Sequence, residues 1–235
     1  MKGERREERG ERWLKETIFI ILSDTQTYIT AHCCITQKKV YKNGILLLSD
    51  ETGSDTTDFL LSAYKYFNVD YPKFYKMDNL CKLGFLAVEL LLKERRIAEE
   101  YSPETVGIVL SNANSSLDAD LNYFQTVKNI PSPAQFVYTL PNIVIGEISI
   151  RHHCKGENAF FVSDRFDTGF MQFYVQDLLD RNRINACISG WVECLGGEYK
   201  AVVYLTEKRP AKGSLPFNID HIHQIYEIAN GEING

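Results

Sequence analysis

Residues Val106 to Leu110 form an apolar run with no alternation, entered through Pro103 and Glu104 and left through the polar stretch Ser111 to Asp120. A strand with one wet face alternates apolar and polar residues, so an unbroken run of this length reads as a central strand buried on both faces. Strands of that kind belong to sheets packed between helices, and the chain is expected to form one α/β unit. Its 235 residues, 44% hydrophobic and 12% aromatic, suffice for one packed core.

Four further strands are expected around it. Tyr28 to Thr36 is rich in small and β-branched residues, and Asn158 to Ser163, Ile184 to Val192 and Lys200 to Thr206 are short apolar runs. From Met77 to Arg96, Leu80, Leu83, Ala87, Leu90 and Leu91 recur at amphipathic-helix spacing, with Asp78 and Asn79 placed to cap it. A second helix is expected over Thr168 to Leu179. Asp50 to Asp58 is polar and reads as a surface loop, and Ser111 to Asp120 as a loop leading into a helix.

Composition excludes several functions. A net charge of −5 without a clustered basic face argues against nucleic acid as a partner. The six cysteines, Cys33, Cys34, Cys81, Cys154, Cys187 and Cys194, lie in apolar stretches without disulfide-scaffold or zinc-knuckle spacing. Free buried thiols and a cytoplasmic location are expected. Residues 1–25 read as a charged extension whose apolar patch, Thr17 to Leu22, is too short for a signal sequence or a membrane span. A misassigned upstream start of translation gives the same appearance. The expected division is this extension, a domain over 26–210 and a C-terminal segment over 211–235.

The stretch from Tyr138 to Gly169, YTLPNIVIGEISIRHHCKGENAFFVSDRFDTG, carries a specific pattern. Leu140-Pro141-Asn142, Gly146, Ile150-Arg151-His152, Lys155-Gly156 and Asn158 resemble, in register, the nucleophile region of β-ketoacyl synthases, "IPN..AG.IAIRHGLKGPN.A.STACASG". The resemblance extends over about residues 27 to 208. It implies a thiolase-like half-fold, the N-terminal half of a ketosynthase, with a mixed five-stranded sheet packed with helices. In a full ketosynthase several dozen residues separate the last two strands, and here only about seven do.

The resemblance also locates a loss of chemistry. Counting from Lys155, the family's nucleophilic cysteine falls on Arg165, and a slip of one residue puts Asp164 or Phe166 there. Arginine stays protonated and is no nucleophile. Ser163 is a weak surrogate, since a serine at this place more simply ends a strand or caps a helix. Arg165 either pairs with a carboxylate such as Asp164 or Asp167 or has drifted at a position freed from selection. His152 matches a structural histidine of the family, and His153 replaces a glycine and is expected at the surface. His152, His153 and Cys154 diverge too much for a metal site, and neither a metal nor a cofactor is expected. The family's two catalytic histidines lie in the absent second half, and His221 and His223 lack their sequence contexts. No glycine stands where the family has its glycine-rich turn after Val106–Leu110.

Half of a two-half fold leaves helix surface uncovered, on the helix from Asp78 and on the one from Thr168 with Phe170, Phe173, Tyr174 and Leu178. Ketosynthases dimerise through the strand before the nucleophile, and Asn158, Phe160, Phe161 and Ser163 mark the matching strand as a partner interface. The closest analogy is a chain-length-factor subunit, a ketosynthase-like protein without the nucleophile that pairs with an active ketosynthase. Short proteins of this kind are associated with polyene-type lipid and pigment pathways. Three functions follow: a non-catalytic subunit paired with a ketosynthase or with itself; a module binding acyl carrier protein, through Arg151, Lys155, Arg181 and Arg183, or an acyl chain; and an acyltransferase with an atypical nucleophile.

Overall fold

A computed structural model describes residues 26–51 and 53–228. The charged extension expected over residues 1–25 lies outside them.

The five expected strands form the continuous run of one mixed sheet. They are β1 (Tyr28–Thr36), β4 (Val106–Asn112), β5 (Asn158–Val162), β6 (Ala186–Leu195) and β7 (Glu198–Glu207), in the order β1-β7-β6-β4-β5. β4 lies parallel to β5 and β6, while β7 runs antiparallel to β6 and β1. Three short strands were not expected. β2 (Lys39–Lys42) and β3 (Ile45–Ser49) extend the sheet beyond β1 as a hairpin, and β8 (Leu215–Pro216) pairs with Tyr28 and Ile29. Every residue of β4 is buried, which its unbroken apolar run required.

The short link between β6 and β7 is a two-residue turn. Leu195 faces Glu198 across it, and Gly196 and Gly197 take φ of 60° and 94°, a left-handed pair that side chains resist. A second glycine is imposed by packing. A Cβ on Gly190 would stand 2.0 Å from the Val202 carbonyl oxygen of the neighbouring strand.

Six α-helices of ten residues or more flank the sheet among the described residues: α1 (Thr56–Tyr66), α2 (Asn79–Leu91), α3 (Leu117–Val127), α4 (Ile143–His152), α5 (Thr168–Asp180) and α6 (Ile219–Ile228). The loop expected from Asp50 to Asp58 ends early, because the Asp55 carboxylate accepts the Asp58 N–H at 2.8 Å and starts α1. Asp78 caps α2 in the same way, accepting the Cys81 N–H at 3.0 Å. α2 ends at Leu91, short of the expected Arg96, and it is not amphipathic, since both of its faces are buried. It lies on β1, β6 and β7 and is covered by α1 and α4. The Asp78 helix is therefore covered by the chain itself and offers no partner surface.

Two cores result. Ala31, Cys33, Ile35, Ile108, Leu110, Ile188 and Val203 pack against α1, α2 and α4 on one face of the sheet. On the other, Cys34, Val109, Cys187, Trp191, Val202 and Tyr204 meet Met171, Val175 and Leu179 of α5 and Ile222 and Ile225 of α6. The C-terminal segment from residue 211 thus supplies β8 and α6 to the same body. By covering this face it leaves only part of α5 exposed, notably Phe170 and Phe173, the latter 66% accessible.

Candidate functional site

β4, β5 and β6 are parallel, so their C-terminal ends lie together, and the turn that carries Arg165 is there. Asn112 closes β4 and its carbonyl accepts the Ser163 N–H at 2.9 Å, tying the turn to the neighbouring loop. The Ser163 hydroxyl donates to the Arg165 carbonyl at 2.8 Å. Asp167 caps α5, accepting the Phe170 N–H at 2.8 Å. Arg165 is exposed, and no ion pair holds it among the described residues. The expected pairing with Asp164 or Asp167 is not formed, because the Asp167 carboxylate is turned to the helix end.

Phe166 fills the space behind this turn. It is buried, with its ring 5.8 Å from Trp191 of β6 and 5.0 Å from Tyr226 of α6, and the Lys200 ammonium stands 3.4 Å from the Tyr226 ring centroid. An adjoining cleft of about 800 Å³ is lined by Lys38, Asn114, Trp191, Glu193, Tyr199 and Tyr226, among others. Sequence reasoning missed Tyr226, which is brought to the turn only by the fold-back of α6.

The loop after β4, where the family has glycines, is braced by side chains. Glu193 accepts the N–H groups of Ala113 at 2.7 Å and Asn114 at 3.1 Å. Asn112 exchanges hydrogen bonds with the Ser115 backbone, Ser115 takes a left-handed φ of 51°, and the Ser116 hydroxyl donates to the Thr139 carbonyl at 2.8 Å. The backbone N–H groups of Ala113, Asn114 and Ser115 are thereby all taken by side-chain acceptors.

The other candidate nucleophiles and bases are buried or stand away from the turn. All six cysteines are free and buried, and burial pushes the thiols of Cys34, Cys154, Cys187 and Cys194 up to about 12. No histidine hydrogen bonds to the turn among the described residues. His152 stands 3.0 Å from Glu89, to which Arg151 is bidentate at 2.8 and 3.2 Å, so the pair fastens α4 to α2. His153 is exposed with φ of 57°, a left-handed conformation that favours glycine. His221 rests 2.9 Å from the Pro216 carbonyl, and His223 is exposed. No group of three or more metal-ligating side chains occurs among the described residues.

Among the described residues β5 ends the sheet and is hydrogen bonded only to β4, leaving its outer edge open. Asn158 is exposed at its start and Ser163 lies just past its end. Phe160 turns into the first core, and Phe161 into the second, 4.9 Å from Phe170 and 5.1 Å from Tyr174. They anchor the strand, and Val162, 54% accessible, is its exposed apolar side chain. Most exposed large apolar residues among the described ones belong to the segment from α3 to α5, including Leu121, Phe124, Ile130, Phe136, Leu140 and Ile150. On α3, Leu117, Leu121 and Phe124 form a helical stripe that faces solvent while Ala119 faces inward.

The four basic residues expected to meet a carrier protein form no free basic face. Arg151 is held by Glu89, Arg181 by Asp177 at 2.7 Å and Arg183 by Glu157 at 2.6 Å. Lys155 lines a hollow with Glu104, Glu157 and Arg183.

No family model and no curated protein matches the chain. Among solved structures it is similar to the ishigamide ketosynthase/chain length factor, with TM-score 0.58 and 18% identity over 80% of this chain and 63% of that one. It is also similar to a type II PKS acyl-carrier protein in complex with its ketosynthase bound to the hexaketide, with TM-score 0.53 and 15% identity over 78% and 63%. A third is the ketosynthase (ApeO) in complex with its chain length factor (ApeC) from Xenorhabdus doucetiae, with TM-score 0.53 and 13% identity over 88% and 92%. The chain spans less than two thirds of the length of the first two. The fold is thus the thiolase-like fold of ketosynthases and chain length factors. No helix among the described residues is long and apolar enough to cross a membrane.

Proposed function

We propose that this chain is a non-catalytic ketosynthase-like subunit that pairs with an active β-ketoacyl-acyl-carrier-protein synthase in polyene-type fatty acid or polyketide biosynthesis, in the cytoplasm. The observation that carries the reading is the open edge of β5, with Val162 exposed on it and Phe170 and Phe173 exposed on α5. An unpaired strand edge beside exposed apolar side chains is a liability in an isolated protein and a complementary surface in an assembled one. Two solved proteins of this fold are described as complexes or pairs of a ketosynthase and a chain length factor, which supports a partner of the same fold.

The absence of catalysis follows from the same turn. Position 165 carries a guanidinium, the space behind it is filled by Phe166, Trp191 and Tyr226, and Ser163 donates its proton to a backbone carbonyl with no base beside it. A carrier-protein module is the second reading, and the ion pairs of Arg151, Arg181 and Arg183 weaken it.

The test is co-expression with a tagged β-ketoacyl synthase from the same source. The wild type co-purifies, and Val162→Asp, which alters an exposed side chain, abolishes co-purification without loss of fold. Equal recovery of the variant contradicts the proposed edge.

A further inference from the structure

The sheet has a second open end. Opposite β5 it finishes at β3 (Ile45–Ser49), which is hydrogen bonded to β2 alone among the described residues. The sequence of β3, Ile-Leu-Leu-Leu-Ser, holds neither a charge nor a proline, the features that commonly keep an edge strand from pairing with another chain. Ile45 is 65% and Leu46 50% accessible. Facing residues share a side of the sheet, so Ile45, opposite Lys42 and in line with Cys33, lies on the side of the first core, and Leu46, opposite Tyr41, on the side of the second. Exposed aliphatic side chains thus flank the free edge on both sides.

The hairpin holds this edge in place. Asn43 and Gly44 take φ of 50° and 78°, the positive pair of a tight two-residue turn. Asn43 is also tied to β1, donating its N–H to the His32 carbonyl at 2.9 Å and accepting the His32 N–H on its side chain at 2.9 Å. A shift of register leaves Leu47 without a facing residue on β2, a bulge that adds twist and places no charge or proline at the edge.

The charges at the two ends of the strand favour one occupant and one orientation. Lys42 stands at the turn end, and Asp50 and Glu51 follow the other end. Two copies paired in parallel would set Asp50 and Glu51 of one against the same residues of the other. Antiparallel pairing instead sets them beside the other copy's turn and its Lys42. Within the chain, neither Lys42 nor Glu51 forms an ion pair among the described residues. The edge is therefore complementary to itself in charge as well as in apolar surface.

We propose that β3 is a self-association edge, at which two copies of this chain pair antiparallel about a two-fold axis and cover Ile45 and Leu46 of both. It lies at the opposite end of the sheet from β5 and is independent of the proposed ketosynthase edge. An assembly built through both edges holds the two proteins in equal numbers.

The test is light scattering on the full chain purified alone over a range of concentrations, with hydrogen exchange on the same samples. The wild type is expected to rise from the mass of one chain to that of two, and the β3 amides to gain protection in step. Ile45→Lys and Leu46→Lys, each at an exposed position, are expected to keep the mass of one chain throughout with an unchanged circular dichroism spectrum, whereas Val162→Asp keeps the self-association. A wild type that stays single, a dimer that survives both lysine variants, or a dimer lost in Val162→Asp overturns the proposal. Protection of the β3 amides that does not change with concentration shows that another part of the chain covers the edge, and overturns it too. If the lysine variants do not fold, the concentration dependence of β3 exchange in the wild type decides alone.

Discussion

The ring of Tyr226 lies 5.0 Å from that of Phe166 and beneath the ammonium of Lys200, so the C-terminal helix closes the space directly behind Arg165. Tyr226→Ala is expected to lower stability by about 2–3 kcal/mol, less than a fully buried aromatic because the side chain is half-buried. Tyr226→Phe is expected to be close to neutral. Urea denaturation measures both, and equal midpoints for Ala and wild type would show that α6 does not seat there.

Glu193 braces the loop after β4 through the N–H groups of Ala113 and Asn114. Replacing it with alanine leaves both donors unpaired and costs about 1–3 kcal/mol, while Glu193→Gln keeps an acceptor and loses less. Hydrogen exchange reads the local effect: the amides of Ala113 and Asn114 exchange faster in Glu193→Ala and keep most of their protection in Glu193→Gln.

Two buried groups oppose each other in acid. Burial pushes the Asp78 carboxyl from 3.8 to about 6, with Asp118 adding to the shift and Lys82 and the capped N–H groups of Leu80 and Cys81 opposing it. Burial pulls the His32 imidazole from 6.5 to about 4. A raised carboxyl binds its proton more tightly in the folded state, so Asp78 adds stability as pH falls from 6 towards 4. A depressed imidazole does the reverse, and His32 removes stability as pH falls from 6.5 to 4. The contributions of these two groups therefore offset each other across this window. Asp78→Asn is expected to lose up to about 3 kcal/mol between pH 6.5 and 4, and His32→Gln to gain over the same interval. Denaturation midpoints at four or five pH values separate the two.

Incubation with an acyl-thioester is expected to leave the intact mass of the wild type unchanged. Arg165→Cys is expected to restore no condensing turnover, since no histidine hydrogen bonds to the turn among the described residues. Mass spectrometry supplies the check. A stable adduct on the wild type that disappears in Ser163→Ala would establish the acyltransferase alternative instead.

Much of the scaffold could be read along the chain because local requirements set it. The unbroken run of β4 is buried at every position, and Asp78 caps its helix as its place suggests. Gly156 was readable as part of a motif, and the fold gives the reason: a Cβ there would meet the Val106 carbonyl oxygen at 2.6 Å. What could not be read depends on distant packing. The pattern over Met77 to Arg96 looked one-sided, but α4 arrives from beyond residue 140 to cover the second face. Tyr226 and the β2–β3 hairpin carry no motif. The apolar stripe of α3 resembles any core-facing stripe, and only the fold shows that it points outward. At the site, the arginine at position 165 was visible in the sequence, whereas the aromatic filling and the Glu193 brace were not.

The central claim is association through the β5 edge. Size-exclusion chromatography with light scattering on the chain co-expressed with a β-ketoacyl synthase from the same source measures it directly. The account predicts a one-to-one complex for the wild type and separate species for Val162→Asp with an unchanged circular dichroism spectrum. A wild-type chain that stays monomeric, or forms a homodimer indifferent to the ketosynthase, would contradict it.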